Sequence, residues 1–117
     1  MNKFLPVVEH LVEVYKKWYG LRDHFPKKAR RTLGEKIDNL FVELLELLFV
    51  AGYEAKGNKL PKLEMAIKKI DLLKFFLRIA WEIKALDNKK YLALSEGVQE
   101  LGRMVGGWKK GLLTKLP

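Results

Sequence analysis

The stretch Tyr91-Leu92-Ala93-Leu94-Ser95-Glu96-Gly97-Val98-Gln99-Glu100-Leu101-Gly102-Arg103-Met104-Val105-Gly106-Gly107-Trp108-Lys109-Lys110-Gly111-Leu112 decides the fold. Its apolar residues Tyr91, Leu94, Val98, Leu101, Val105, Trp108 and Leu112 alternate steps of three and four, the signature of a helical a/d seam. A seam of that length must lie along other helices. The glycines Gly97, Gly102, Gly106, Gly107 and Gly111 interrupt it, each at up to about 1 kcal/mol against alanine. They mark either close approach of a neighbouring backbone or a helix that frays after Met104.

Upstream, three breaks divide the chain. At Asp23-His24-Phe25-Pro26 the residue before proline is pushed out of helical geometry, and proline itself suits the first turn of a new helix. Gly57-Asn58-Lys59-Leu60-Pro61 repeats that logic with an added Gly-Asn stop signal. Asp87-Asn88 is a softer break, with Asp87 the cap of the last helix. The expectation is an all-α, up-down four-helix bundle, one domain over residues 1–117, with helices at about 6–21, 27–56, 61–86 and from 88 onward. Helix one should bury Val8, Leu11, Val12, Tyr15 and Tyr19. Helix two should bury Leu33, Ile37, Leu40, Phe41, Leu44, Leu45, Leu47, Leu48 and Ala51, with Val42, Phe49 and Tyr53 on a flank.

Helix three carries two apolar stripes at 100° per residue. Leu63, Ala66, Ile70, Leu73, Leu77 and Trp81 form the first. Leu72, Phe76, Ile79, Ile83 and Leu86 form the second, on nearly the opposite side. A helix of an up-down bundle has an outer face, so a second stripe there predicts an interface between copies of the chain. Leu72, Phe76, Ile79, Ile83 and Leu86 are therefore the expected oligomer contacts, the alternative being a compact monomer whose helices lie askew and cover both stripes.

Composition narrows function mostly by exclusion. The 117 residues are 49% hydrophobic, enough for a core, and contain no Cys and only His10 and His24. Disulfide frameworks, Fe–S clusters and the usual zinc sets are thereby removed. His10 with Glu13 reads as a surface pair, and His24 as a turn residue contacting backbone. Glu35, Asp38, Glu43 and Glu46 read as exposed helix charges and not as metal ligands. No HExxH, GxxxxGK[ST], GxSxG or GxGxxG pattern occurs, and Gly102–Gly107 follows no strand. No catalytic residue, metal or cofactor is expected. The opening Met1–Glu9 is too short in apolar residues for a secretory signal, and no run approaches a membrane span. A soluble cytoplasmic protein is the expectation.

The formal net charge is +9, and it is concentrated late: residues 57–87 carry +3 and residues 88–117 carry +4. A field of that sign attracts polyanions. Lys68, Lys74 and Arg78 share one polar strip of helix three, Lys62, Lys69 and Lys84 the other, and Lys89, Lys90 and Arg103 belong to helix four. Lys and Arg neutralise phosphates without reading bases, which predicts salt-dependent, weakly selective binding. Aromatic residues do not interleave with these charges along the sequence as a stacking platform requires.

Several segments carry a family resemblance: Pro26-Lys27-Lys28, Leu33-Gly34-Glu35-Lys36-Ile37, Leu44-Leu45-Glu46-Leu47-Leu48, Leu60-Pro61, Tyr91–Glu96 and above all Glu100-Leu101-Gly102-Arg103-Met104-Val105-Gly106-Gly107-Trp108. Together they resemble the accessory variability determinant proteins of diversity-generating retroelements, over nearly the whole chain. The superfamily also includes proteins encoded by intervening sequences of bacterial ribosomal RNA genes, a structural or RNA-associated branch without a polymerase partner. The resemblance implies a ring-like homopentamer of four-helix bundles that has no active site. It also implies that the protein binds a reverse transcriptase and RNA or DNA, and supports complementary DNA synthesis. It adds Arg30 and Arg31 to Lys74, Arg78 and Arg103 as contact residues, although Arg103, inside the glycine-rich motif, has a structural alternative.

Overall fold

The computed structural model describes residues 4–115; Met1-Asn2-Lys3 of the segment read for a signal lie outside them. Among the described residues the elements are α1 (Phe4–Leu21), a 3-10 turn (Arg22–His24), α2 (Lys27–Ala29), a π-helical turn (Arg30–Gly34), α3 (Glu35–Ala51), α4 (Lys56–Glu82) and α5 (Asn88–Lys115), with no strand. α2, the π turn and α3 run on as one rod, so four rods make up the bundle. α1 packs on α3 and α5, and α4 packs on α3 and α5, which closes a square of neighbours. Each pair is antiparallel: Phe4 meets Trp108 while Val14 meets Gly97, and Lys62 reaches Glu54 while Lys69 reaches Glu43. The result is an up-down bundle 51 × 22 × 19 Å in extent.

The seam of the last helix behaves as its spacing requires. Leu94, Val98, Leu101, Val105 and Trp108 are buried, with Tyr91 and Leu112 packed against the core. α5 stays helical to Lys115, and close approach explains one of its glycines. A Cβ on Gly97 would stand 2.8 Å from Val14 Cγ2, whereas one on Gly102 would make only ordinary contact with Lys74 and Ile70 at 3.6 and 3.7 Å.

Helix ends depart from expectation in three places. The turn between α3 and α4 lies at residues 52–55 and not at 57–61, because the Phe4 ring covers Gly52, where any side chain would collide with it. Pro61 consequently sits in the second turn of α4. Its missing N–H leaves the carbonyl of exposed Gly57 to solvent, which makes the position tolerable. The second departure is the π turn, whose extra residue brings Gly34 to within 3.5 Å of the buried Phe25 ring, measured from an ideal Cβ.

The third is the end of α4, at Glu82 and not Leu86. Lys84 adopts a left-handed φ of 66°. Around it Ala85 N donates to Ala80 O at 2.8 Å and Lys84 N to Trp81 O at 3.0 Å, the paired bonds of a Schellman stop. The reversal turns Leu86 inward to 2% exposure, so it belongs to the bundle's own core and not to an outward stripe. It also gives Ala80 the core position expected of Trp81, which stands 39% exposed, stacked on Tyr91 and bonded to Asn88.

On α1 the buried face is Val7, Leu11, Val14 and Trp18, rotated from the expected one. Trp18 takes the core place because it stacks on Phe41 at 6.2 Å and meets Phe25 edge-on at 5.6 Å. Tyr19, expected inside, is 61% exposed.

Candidate nucleic-acid interface

The antiparallel registers bring distant cations to one end of the bundle. Trp81 stacks on Tyr91, Lys36 lies over Phe76, and Trp18 stacks on Phe41. The turn after α1 and the turn after α4 therefore share that end. Arg22, Lys27, Lys28, Arg30, Arg31, Lys84, Lys89 and Lys90 all fall there, against the carboxylates Asp23, Glu35, Glu82 and Asp87. Arg30, Arg31, Lys84, Lys89 and Lys90, expected as binding residues from separate helices, are thus brought together. Lys74 and Arg103 lie near mid-length, across the groove between α4 and α5 floored by Gly102 and Gly106. Lys68 lies farther along α4, apart from both groups.

The cations differ in how far they are committed. Arg30 donates from Nε to Phe25 O at 3.0 Å and from its terminal nitrogen to Asp23 O at 2.6 Å, so it locks the turn that precedes the π segment. Arg78 pairs with Glu82 at 3.3 Å and lies over Phe75. Arg103 pairs with Glu100 at 2.7 Å, and Lys90 reaches Asp87 at 4.0 Å. Such exposed pairs are loose and exchange readily for a phosphate. Among the described residues, Arg31, Lys68, Lys74, Lys84 and Lys89 form no ion pair at all. Asp87 also accepts the Lys90 N–H at 2.8 Å, the cap expected of it.

Two residues read as ordinary surface charges prove otherwise. The Asp38 side chain is only 16% exposed. It accepts the Tyr15 hydroxyl at 2.9 Å and the Trp18 indole N–H at 3.2 Å, and faces Arg22 at 3.5 Å. Burial, reinforced by the hydrogen bond and charge of Asp38, pushes the Tyr15 hydroxyl above its usual pKa. His10 bonds through Nε2 to Gly97 O at 2.8 Å, while Glu13 pairs with Lys16 instead. His24 is exposed in its turn. Neither Asp38 nor Arg22 was marked by local spacing, because their partners lie on another rod.

Beside Asp38, a cleft of ≈ 340 Å³ opens between the C-terminal end of α1 and the π turn, lined by Trp18, Tyr19, Arg22, Asp23, Phe25, Arg30, Arg31, Gly34 and Glu35. An exposed aromatic ring and several guanidinium groups meet here, an interleaving that the linear sequence does not display. On α4, Leu72 is 44% and Ile83 57% exposed, with Met65 and Phe75 also exposed, and Phe76 and Ile79 half-buried beside them. Four of the five expected interface residues thus form one outward stripe.

Among the described residues no group of His, Cys, Asp and Glu can hold a metal ion, and no helix is long and apolar enough to cross a membrane. A family model described as bAvd-like matches residues 5–112. A search of curated proteins finds no match.

Proposed function

The chain belongs to the bAvd-like family, and on that premise we propose that it serves a retroelement reverse transcriptase as a non-catalytic, nucleic-acid-binding accessory subunit. The bAvd-like match supports the retroelement reading over the ribosomal-RNA one. In this reading the protein supports complementary DNA synthesis without an active site of its own. The observation that carries the binding step is the end of the bundle where Arg31, Lys84 and Lys89 stand without ion-pair partners among the described residues, next to the loosely paired Lys90. Phosphate oxygens satisfy such groups, and release of counterions drives the association. Arg30 contributes by holding the turn and Arg78 by exchanging Glu82 for phosphate. Lys68, Lys74 and Arg103 extend the positive surface along α4 and α5.

The outward stripe Leu72, Phe76, Ile79 and Ile83 joins copies of the chain, as a ring-like pentamer in the family's pattern, and so repeats the basic end around an axis. The test is a salt series with single-stranded RNA and DNA, followed by capture of the purified reverse transcriptase of the same element. Affinity should fall steeply with salt, and Lys74→Ala with Arg78→Ala should weaken it while the bundle melts normally. Absence of binding to nucleic acid and to polymerase at low salt refutes the proposal.

A further inference from the structure

From the cleft at the π turn we infer that the bundle holds one unstacked nucleotide of a single strand, its base against Tyr19 and its phosphate on Arg31; this deepens the nucleic-acid reading above and rests on it. The volume of ≈ 340 Å³ is at the small end of ligand sites. The walls are built and not accidental. Asp38 anchors the Trp18 indole and Arg22, Arg22 in turn lies 5.8 Å over the Tyr19 ring, and Arg30 is spent on the carbonyls of Asp23 and Phe25. Gly34 lines the cleft beside the buried Phe25 ring. What remains available is the part of the Tyr19 ring that Arg22 does not cover, the residue being 61% exposed, and the Arg31 guanidinium, which has no partner among the described residues.

The rim chemistry selects the occupant. A ring offers stacking to any base, and a guanidinium offers a paired donor fork to phosphate. Asp23 and Glu35, also at the cleft, accept hydrogen bonds from the exocyclic amine of a base, a donor that the side chain of an acidic peptide lacks. A nucleotide with its phosphate on Arg31 and its base toward Tyr19 and the carboxylates therefore uses every group present. A paired base cannot reach Tyr19 without leaving its stack, which restricts the site to single strands.

The experiment is a fluorescence-anisotropy titration of the full chain with a short labelled single-stranded RNA, the same strand as a duplex, an abasic strand of equal length, and polyglutamate. Tyr19→Ala should weaken binding of the single strand about tenfold and Tyr19→Phe should restore it. The abasic strand should bind the wild-type protein as weakly as the normal strand binds Tyr19→Ala. Arg31→Ala should lower the slope of log affinity against log salt by about 0.7. Circular dichroism melts of the three variants confirm that the fold is intact. If the strand binds but Tyr19→Ala and Arg31→Ala leave affinity unchanged, the cleft assignment fails and the general nucleic-acid reading survives. If the wild-type protein binds no strand at low salt, both fail. Tighter binding of polyglutamate, sensitive to the same variants, overturns the nucleotide in favour of a peptide.

Discussion

Replacing Leu72 and Ile83 together by Gln tests the assembly without touching the bundle core. A fully buried Leu or Ile contributes about 1.5–3 kcal/mol. Within one chain Leu72 and Ile83 keep 44% and 57% of their surface in water, so about half of that contribution remains to be gained when a second copy covers them. The pair should then cost roughly 1.5–3 kcal/mol at each interface, a weakening of association by about 10- to 150-fold. The half of each side chain already covered within the single chain contributes to the bundle itself, so the chain's own stability should also fall, by up to about 3 kcal/mol, while it stays folded. Light-scattering mass measured across a dilution series reads the first effect, and thermal melting of the dissociated chain reads the second. The wild-type protein should exceed the 13.6 kDa chain mass, with five times that mass marking the pentamer. The variant should fall to the single-chain mass at concentrations where the wild type remains assembled. A wild-type mass of one chain throughout, or a variant that assembles as tightly as wild type, refutes the role of the stripe.

Lys84→Gly should stabilise the protein by about 0.5–1 kcal/mol in urea unfolding, because a side chain at the observed φ of 66° is strained and glycine is not. A loss of stability would mean that the Lys84 side chain supplies more than the strain costs. Gly97→Ala should destabilise by about 1–3 kcal/mol, since its Cβ would stand 2.8 Å from Val14 Cγ2 on a stiff, branched side chain; adding Val14→Ala should make the Gly97→Ala step cheaper, measured by a double-mutant cycle of melts. Tyr15 is pushed above its ordinary value of about 10 by burial and by Asp38. A raised folded-state value gives stability that is whole below about pH 10 and is lost as pH rises through the folded value. Unfolding midpoints of wild type and Tyr15→Phe should therefore converge above about pH 10, and a gap that widens there contradicts the assignment.

The fold was legible where packing is repetitive. The seam from Tyr91 to Leu112 and the first stripe of α4 from Leu63 to Leu77 needed only helical period. Errors arose where a local signal competed with a distant partner. Gly57 and Pro61 look like a break, yet the chain turns at Gly52 because Phe4, far away in sequence, occupies the space above it. Ala80 and Leu86 replaced Trp81 in the core because a Schellman stop at a lysine has no sequence mark. Of the candidate site, the basic residues were visible as a list but not as a place. Their convergence depends on registers between rods, and the cleft depends on Asp38, whose hydrogen bonds cross from α3 to α1.

The two local rules this chain breaks most plainly are the π turn at Arg30–Gly34 and the left-handed Lys84, and they lie at the same end of the bundle. Each carries a cost that an ordinary sequence removes easily, the first with a regular α-helical register and the second with a glycine. Departures of this kind concentrate where function and not stability sets the residue. The π turn holds Arg31 at the mouth of the cleft with Arg30 locked behind it, and a lysine at position 84 adds a cation where glycine would relieve strain. The opposite end, closed by Phe4, Phe49, Tyr53 and Trp108, is a cluster of rings in mutual contact. One end carries the ring cluster and the other is charged at a cost to stability, an asymmetry that supports the proposed docking of a polyanion at the turns after α1 and α4.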